Sequence, residues 1–355
     1  AAKKPKEAEA AYRRALEQQP DMANAHFNLG LLAHEAGRRP DAMAHYRYAL
    51  ERQPQHLGAL LNLGLSLKDA GQRREAEVCL RQILELDPDH AEARVNLAAI
   101  LAEPARNLAN PDELQRAETL CVETLEKQPA LPQAWVNLGV VRQALGGAAQ
   151  ALECFQRALQ YQPENADARY NLAIAELLTG RFESGWRNYE ARWQTANPVF
   201  ASRGFKQPRW EGQELAGRTL LIHAEQGMGD TIQFVRYLPA VAKFGGRVLF
   251  ECPPSLKKLL STVETAVKVL SRGERGPACD FQVPLLSLPL LMGTTLPAIP
   301  NRVPYLSVPE RVQFNFPASP TDRLRVGIVW AGNPQHGSDR SRSLAPALLA
   351  PLLAR

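Results

Sequence analysis

No two of the five cysteines (Cys79, Cys121, Cys154, Cys252 and Cys279) stand in C-x-x-C spacing, and their number is odd. This argues against both a zinc site and a disulfide framework, so no metal is expected and a reducing compartment fits. No apolar run reaches the ~18 residues that a spanning helix needs. The first residues, AAKKPKEAEAAYRRAL, hold no signal-peptide core and no initiator Met, and a cytoplasmic location is expected. No run of five or more lysines and arginines occurs, and no basic residues interleave with aromatics as in single-strand binders. The net charge of +5 and pI of about 9.0 therefore fit an anionic ligand at least as well as nucleic acid, which is not expected as a partner. The phosphate loop G-x-x-x-x-G-K-[ST] is also missing.

What is present is a period. Asn-Leu recurs at Asn28, Asn62, Asn96, Asn137 and Asn171, at intervals of 34, 34, 41 and 34. A proline recurs in step at Pro20, Pro54, Pro88, Pro129 and Pro163. The longer interval places a seven-residue insertion near 103–111. Gly37, Gly71, Gly146 and Gly180 sit where a helix must end with positive φ. Ala42, Ala76, Ala117 and Ala151 give small surfaces for close helix packing, and the prolines stop the second helix of each unit. The chain starts inside one such unit, with Glu7 to Gln19 as its second helix, so residues upstream are expected. A 34-residue unit of two amphipathic helices, with Phe27-Asn-Leu-Gly30 and Trp135-Val-Asn-Leu-Gly139 in its first helix, resembles the tetratricopeptide repeat. The resemblance implies an α-solenoid over residues 1–194 whose groove takes a protein or peptide. In that family the residue before Leu-Gly faces the groove, so the five asparagines would form a ladder of amides along an extended peptide backbone. The alternative is that Asn merely suits this helix position.

In the last repeat Gly185 takes the small-residue place, and Trp186, Tyr189 and Trp193 follow at i, i+3 and i+7. This stripe is expected to pack on the next domain. Residues 195–217 then lose periodicity and read as a packed connector holding Phe205 and Trp210. From 218 to 296 strand and helix patterns alternate: strands at 218–224, 248–251, 267–270 and 281–286, helices at 230–244, 255–260 and 287–292. That is the pattern of a parallel sheet with crossover helices. Residues 297–323, with Pro297, Pro300, Pro304, Pro309, Pro317 and Pro320, read as an extended linker. Leu324 to Trp330 opens a further strand, and about 30 residues are too few to close a second domain.

The turn after the first strand carries the candidate chemistry: His223-Ala-Glu-Gln226-Gly227-Met-Gly229-Asp230-Thr. Ligands of open parallel sheets bind at the carboxyl ends of the strands, and a helix N-terminus favours an anion. A dinucleotide fingerprint would need a third glycine where Ile232 stands, and Glu251 as its ribose partner. Asp230 also reads simply as a helix cap, and His223 as a buried, hydrogen-bonded histidine.

The segments HAEQGMGDTIQFVRYLP, PLLSLP and RVGIVWAGNP, the last followed by H-x-x-D-R-x-R-S, resemble bacterial glycosyltransferases of the heptosyltransferase type. They also resemble bacterial proteins that join tetratricopeptide repeats to such a region. By architecture alone the chain is similar to the repeat-bearing O-linked N-acetylglucosamine transferases. The resemblance implies an α/β, Rossmann-like half-domain of GT-B type over 218–296, with a second Rossmann domain (324–355) cut short. It implies a nucleotide-sugar donor, a protein or glycan acceptor and Asp230 as general base, with Gly227, Gly229, Gln226 and His223 around the cleft. Asn333, Arg340 and Arg342 would meet phosphate, unless that stretch is a solvated loop. In that family the donor is held mainly by the second domain, so the chain as given is expected to hold an acceptor and transfer nothing. The rival expectation is a non-catalytic scaffold that binds proteins through its repeats.

Overall fold

A computed structural model describes residues 5–103, 111–263, 265, 267–309, 344 and 346–350. Asn333, Arg340, Arg342, the strand expected near 324–330 and most of the 103–111 insertion lie outside the described residues. The chain divides into two compact units, one holding Ala1–Pro163 and the other running Glu164–Ile328.

The first unit contains α1 (Pro5–Gln18), α2 (Ala23–Glu35), α3 (Arg39–Arg52), α4 (Leu57–Asp69) and α5 (Arg73–Leu86). It continues with α6 (Ala91–Ala102), α7 (Pro111–Lys127), α8 (Pro132–Ala144) and α9 (Ala148–Tyr161). Each helix packs on the next, and α6 also touches α4 and α8, which is the stacking a repeat array needs to bury faces that one helix pair cannot bury alone. Local signals set the ends. The imidazole Nδ1 of His56 accepts the Ala59 N–H (3.2 Å) at the start of α4, and that of His90 accepts the Ala93 N–H (3.3 Å) at α6. Gly37, Gly71 and Gly146 close their helices at φ 73°, 74° and 89°, where a side chain would be strained.

The packing positions read from the sequence are confirmed. Ala42, Ala76, Ala117 and Ala151 are wholly buried. Gly30 and Gly139 lie so close to the helix behind them that an added Cβ would stand 2.4 Å from the rings of Tyr46 and Phe155. Cys79, Cys121 and Cys154 are buried and unpaired, and burial pushes the Cys121 thiol up to about 12. Such a thiol stays protonated and packs as a small apolar group.

The second unit opens with α10 (Ala166–Leu178) and α11 (Phe182–Tyr189). The last repeat thus groups with the sheet, one repeat earlier than the expected boundary at 194. Its sheet is wholly parallel in the order β3-β2-β1-β4, with β1 at Thr219–His223, β2 at Arg247–Cys252, β3 at Lys268–Ser271 and β4 at Phe281–Pro284. The connector covers the open edge of β4: the Trp210 N–H donates to the Gln282 carbonyl (2.9 Å) and the Gln282 N–H to that of Pro208 (3.1 Å). A parallel sheet edge left bare invites pairing with another chain. Trp210 itself is fully buried, its ring edge-on to Phe244 at 5.1 Å, as the packed-connector reading expected.

Three expectations are corrected. The single helix expected over 230–244 is broken into α12 (Met228–Phe234), a 3-10 turn, α13 (Leu238–Val241) and another 3-10 turn. Pro239 lies in the first turn of α13, where its missing N–H costs nothing. The remaining helices, α14 (Lys257–Leu260) and α15 (Leu288–Leu291), are single turns preceded by 3-10 turns. The aromatic stripe is also split. Trp186 and Tyr189 lie on α11, and Trp186 meets Phe234 of α12 edge-on at 5.7 Å, but Trp193 falls in a 3-10 turn after the helix has ended. Finally, the described part of the proline-rich stretch is tied down rather than extended free. Arg236 donates to the Pro300 carbonyl (2.9 Å), the Tyr305 hydroxyl to that of Ile232 (3.1 Å), and the Ser307 N–H to Thr262 Oγ1 (3.0 Å).

Candidate functional site

Of the residues selected from the glycine turn, His223 lines the cavity described below and Gln226, Gly227, Gly229 and Asp230 do not. β1 ends at His223, which is buried, donates from Nε2 to Gln282 Oε1 (3.0 Å), and stacks on Phe205 with ring centres 4.5 Å apart. Burial pushes its pKa down to about 4, against the Gln282 contact. The Gln226 amide is spent on the Tyr189 hydroxyl (2.6 Å). Gly227 and Gly229 are exposed, and neither has positive φ. An added Cβ at Gly229 would meet nothing within 4 Å, so the fold itself does not demand glycine there. The helix begins at Met228, with Gly227 as its cap residue, and Asp230 follows in the first turn. Asp230 therefore does not cap α12; it is half-buried, with Oδ2 near the Gly227 position.

A different set of side chains does converge, on Arg192. This guanidinium is fully buried. It donates to Glu190 Oε1 (2.8 Å) and the Tyr189 carbonyl (3.1 Å) through Nη1, and to Glu225 Oε1 (3.0 Å) and Ser287 Oγ (2.8 Å) through Nη2. It also lies over the rings of Tyr189 and Trp193, 4.7 and 4.6 Å from their centres. Glu190 is shared with Arg209. Burial alone would raise the Glu190 carboxyl, but Arg192 and Arg209 outweigh it and hold it below the usual range. Glu225 has only one guanidinium against deeper burial, which pushes it up to about 7. Arg192 thus ties the end of the last repeat to the turn after β1 and to the segment after β4. Sequence reading missed it, although HAEQG and PLLSLP contain two of its partners.

Beside this network, at the carboxyl ends of β1 and β4, lies a cavity of about 350 Å³. Its walls come from the sheet (His223, Gln282, Pro284), the turn after β1 (Glu225), Arg272 and the connector from Trp193 to Arg209. Asp230 is not among its lining residues. Glu251, the ribose partner of the dinucleotide reading, is occupied by Arg203 Nη1 at 2.6 Å.

The asparagine column is less uniform than the ladder expected. Asn62, Asn96 and Asn171 turn their amide N–H back onto the carbonyl four residues earlier, at 2.8, 2.9 and 2.9 Å. One N–H of each is thereby committed to its own helix, leaving the other N–H and the carbonyl acceptor. On Asn96 that acceptor already holds the Lys68 ammonium (3.0 Å). Asn137 is buried, donating to the Val95 carbonyl (2.8 Å), so it joins neighbouring repeats and leaves no amide for a peptide. Among the described residues no group of three or more His, Cys, Asp or Glu is placed to hold a metal ion, and no helix is long and apolar enough to cross a membrane.

Comparison with known proteins bears on the repeats. Residues 1–56 and 136–198 match one tetratricopeptide repeat family, and residues 33–100 match another. The protein FlbA of Caulobacter vibrioides is 30% identical over 185 residues, covering 40% of this chain and 30% of FlbA; the chain thus spans under a third of the length of that curated relative. Among solved structures, a thermophilic TPR protein of Thermus thermophilus is 20% identical with a TM-score of 0.43, covering 49% of this chain and 91% of its own. YrrB, described as a TPR protein with an unusual peptide-binding site, is 18% identical with a TM-score of 0.41, covering 52% and 91%. Period, helix pairing and family match agree: the first part of the chain is built of tetratricopeptide repeats.

Proposed function

We propose that the protein is a scaffold whose tetratricopeptide repeats hold an extended segment of a partner protein. The observation that carries this reading is the outward-facing polar column of the first unit. Asn62 presents a carbonyl oxygen, and Lys68 on Asn96 presents an ammonium with donors to spare. Together they match the alternating N–H and C=O groups of an extended backbone without reading its side chains. The test is a peptide selected from a random library on the purified protein, then titrated by calorimetry. The double variant Asn62→Ala, Asn96→Ala should weaken it at least tenfold, and Asn171→Ala, on the other unit, should not. Equal affinity in the double variant would overturn the reading.

Glycosyl transfer is the second reading, and one observation favours it. The strand order β3-β2-β1-β4 is that of the first four strands of doubly wound nucleotide-binding sheets, and the turn bearing Asp230 follows β1. A base on the acceptor side suits inverting transfer, with the donor a nucleotide-sugar and Asn333, Arg340 and Arg342 toward its phosphates. Transfer or hydrolysis of a UDP-, GDP- or ADP-sugar that Asp230→Ala abolishes would establish it. No heat from any of the three sugar nucleotides in calorimetry on the protein carrying a complete second domain would exclude it.

A further inference from the structure

The cavity at the carboxyl ends of β1 and β4 is built from groups that the peptide reading does not use. Three of its lining residues carry a buried polar atom with no partner among the described residues: Trp193 Nε1, His223 Nδ1 and Glu225 Oε2. Each is costly to leave unmade, by about 1–3 kcal/mol. Two of them sit on side chains more than nine-tenths buried, with His223 at 3% exposure and the Glu225 side chain at 4%.

Their chemistry defines what fits. With Nε2 facing Gln282 Oε1, His223 carries its proton there and offers a lone pair at Nδ1. Glu225 Oε2 accepts when ionised and donates when protonated, both open to a carboxyl pushed up to about 7, and the Trp193 indole only donates. A ligand must bring a donor for His223, an acceptor for Trp193 and a group that can do either for Glu225, which hydroxyl groups supply. The charge around it is positive on balance: Arg192, Arg203, Arg209 and Arg272 stand against Glu190, Glu225 and Glu251. Arg272 donates to the Ala224 carbonyl through Nη2 (2.9 Å) but holds its carboxylate loosely, 4.0 Å from Glu251, and planar guanidinium forks suit carboxylate and phosphate. Phe205, Val199 and Pro284 supply an apolar wall for a carbon skeleton. A volume of about 350 Å³ falls within the range of small-molecule sites.

We infer that this cavity binds a small polyhydroxylated oxyanion, its hydroxyl groups on Trp193, His223 and Glu225 and its carboxylate or phosphate on Arg203 and Arg272. The inference stands apart from peptide docking, since every residue it uses lies in the second unit. Calorimetry on the full chain with four probes tests it: glucose 6-phosphate and glucuronate, with glucose and inorganic phosphate as controls. One or both of the hydroxylated anions should bind at least tenfold more tightly than either control, and the better of the two tells phosphate from carboxylate. Trp193→Phe, which keeps the ring and loses the N–H, and Arg203→Met should each weaken that probe at least tenfold. Lys243→Met, outside the cavity, should leave it unchanged, and far-ultraviolet circular dichroism checks that each variant is folded. Binding of inorganic phosphate as tight as that of glucose 6-phosphate, no heat from either hydroxylated anion, or binding that survives both cavity variants would overturn the assignment.

Discussion

The two units handle charge in opposite ways. In the repeats of the first unit the ion pairs reach solvent: Arg47 with Glu75 and Arg52 with Asp21 are substantially exposed, Arg81 with Glu77 and Arg142 with Glu118 are partly so, and the well-covered Arg94 pairs with exposed Asp89 and Glu123. Cohesion there comes from wholly buried alanines and from rings seated against glycines. In the second unit one arginine is fully buried and joins segments 95 residues apart in sequence, from Arg192 to Ser287. The difference follows from connectivity. A repeat array is closed by neighbours a few tens of residues away, so periodic small residues suffice. A sheet whose crossovers are short, broken helices has little helix surface to bury, and a buried polar hub fixes how its segments meet.

The widest test of that contrast is Arg192→Met. It leaves Glu190 and Glu225 buried without their main partner, which should cost about 3–5 kcal/mol. Urea unfolding followed by tryptophan fluorescence reports largely on it, because three of the five tryptophans, Trp186, Trp193 and Trp210, belong to the second unit. A loss below ~1 kcal/mol would put Arg192 on the same footing as the exposed pairs and erase the distinction.

Next in size is a pair of glycine substitutions inside the repeats. Gly139→Ala forces a Cβ to within 2.4 Å of the Phe155 ring and should destabilise by about 1–3 kcal/mol. Gly64 occupies the same repeat position, but its nearest neighbour would be the Cys79 Cβ at 3.4 Å, an ordinary contact. Gly64→Ala should therefore stabilise by about 0.5–1 kcal/mol through helix propensity. Thermal melts of the two variants should move in opposite directions; a common direction would mean that the facing residue does not set the packing.

The repeats were legible because their signal is periodic: the alanines, turn glycines and prolines recur at fixed offsets, and each found its predicted role. The parallel sheet was legible in kind, with each of the four strands among the described residues placed to within a residue or two. Arg192 was not, because nothing local distinguishes a charged residue after a helix end from a solvated one. Its burial is decided by Glu225 and Ser287, which meet it only in the fold. The asparagine column shows the converse limit. The period marks Asn137 as equivalent to Asn62, yet the contact of α6 with α8 buries it on the Val95 carbonyl.

Acid titration sharpens the contrast further, since two perturbed groups of the second unit, Glu225 and His223, pull in opposite senses. Glu225 titrates near 7 when folded and near 4.5 when unfolded. Between those values the native state holds the extra proton, so its contribution falls as pH rises. His223 titrates near 4 when folded and near 6.5 when unfolded. There the unfolded state holds the extra proton, and the contribution rises with pH from about 4 to about 6.5. The slopes, each at most ~1.4 kcal/mol per pH unit, oppose one another from about 4.5 to 6.5. Glu225→Gln should leave a stability that climbs through this window, and His223→Asn one that declines. Parallel profiles in the two variants would show that neither group titrates as its surroundings require.

The smallest effect belongs to the first unit. Arg81 and Glu77 are four residues apart on α5, with Nη2 and Oε1 at 2.6 Å. Arg81→Gln keeps the helix propensity and removes the pair, and should cost only about 0.2–0.5 kcal/mol. Added salt should shrink even that, because the pair is open to solvent. The loss from Arg192→Met should be much less sensitive to salt, since ions cannot reach a guanidinium with no exposed surface. Urea midpoints at low and high ionic strength separate the two. A salt-insensitive loss at Arg81 would mean that it comes from packing of the aliphatic stem rather than from charge, and the repeats would then share more of the second unit's character than their exposed pairs suggest.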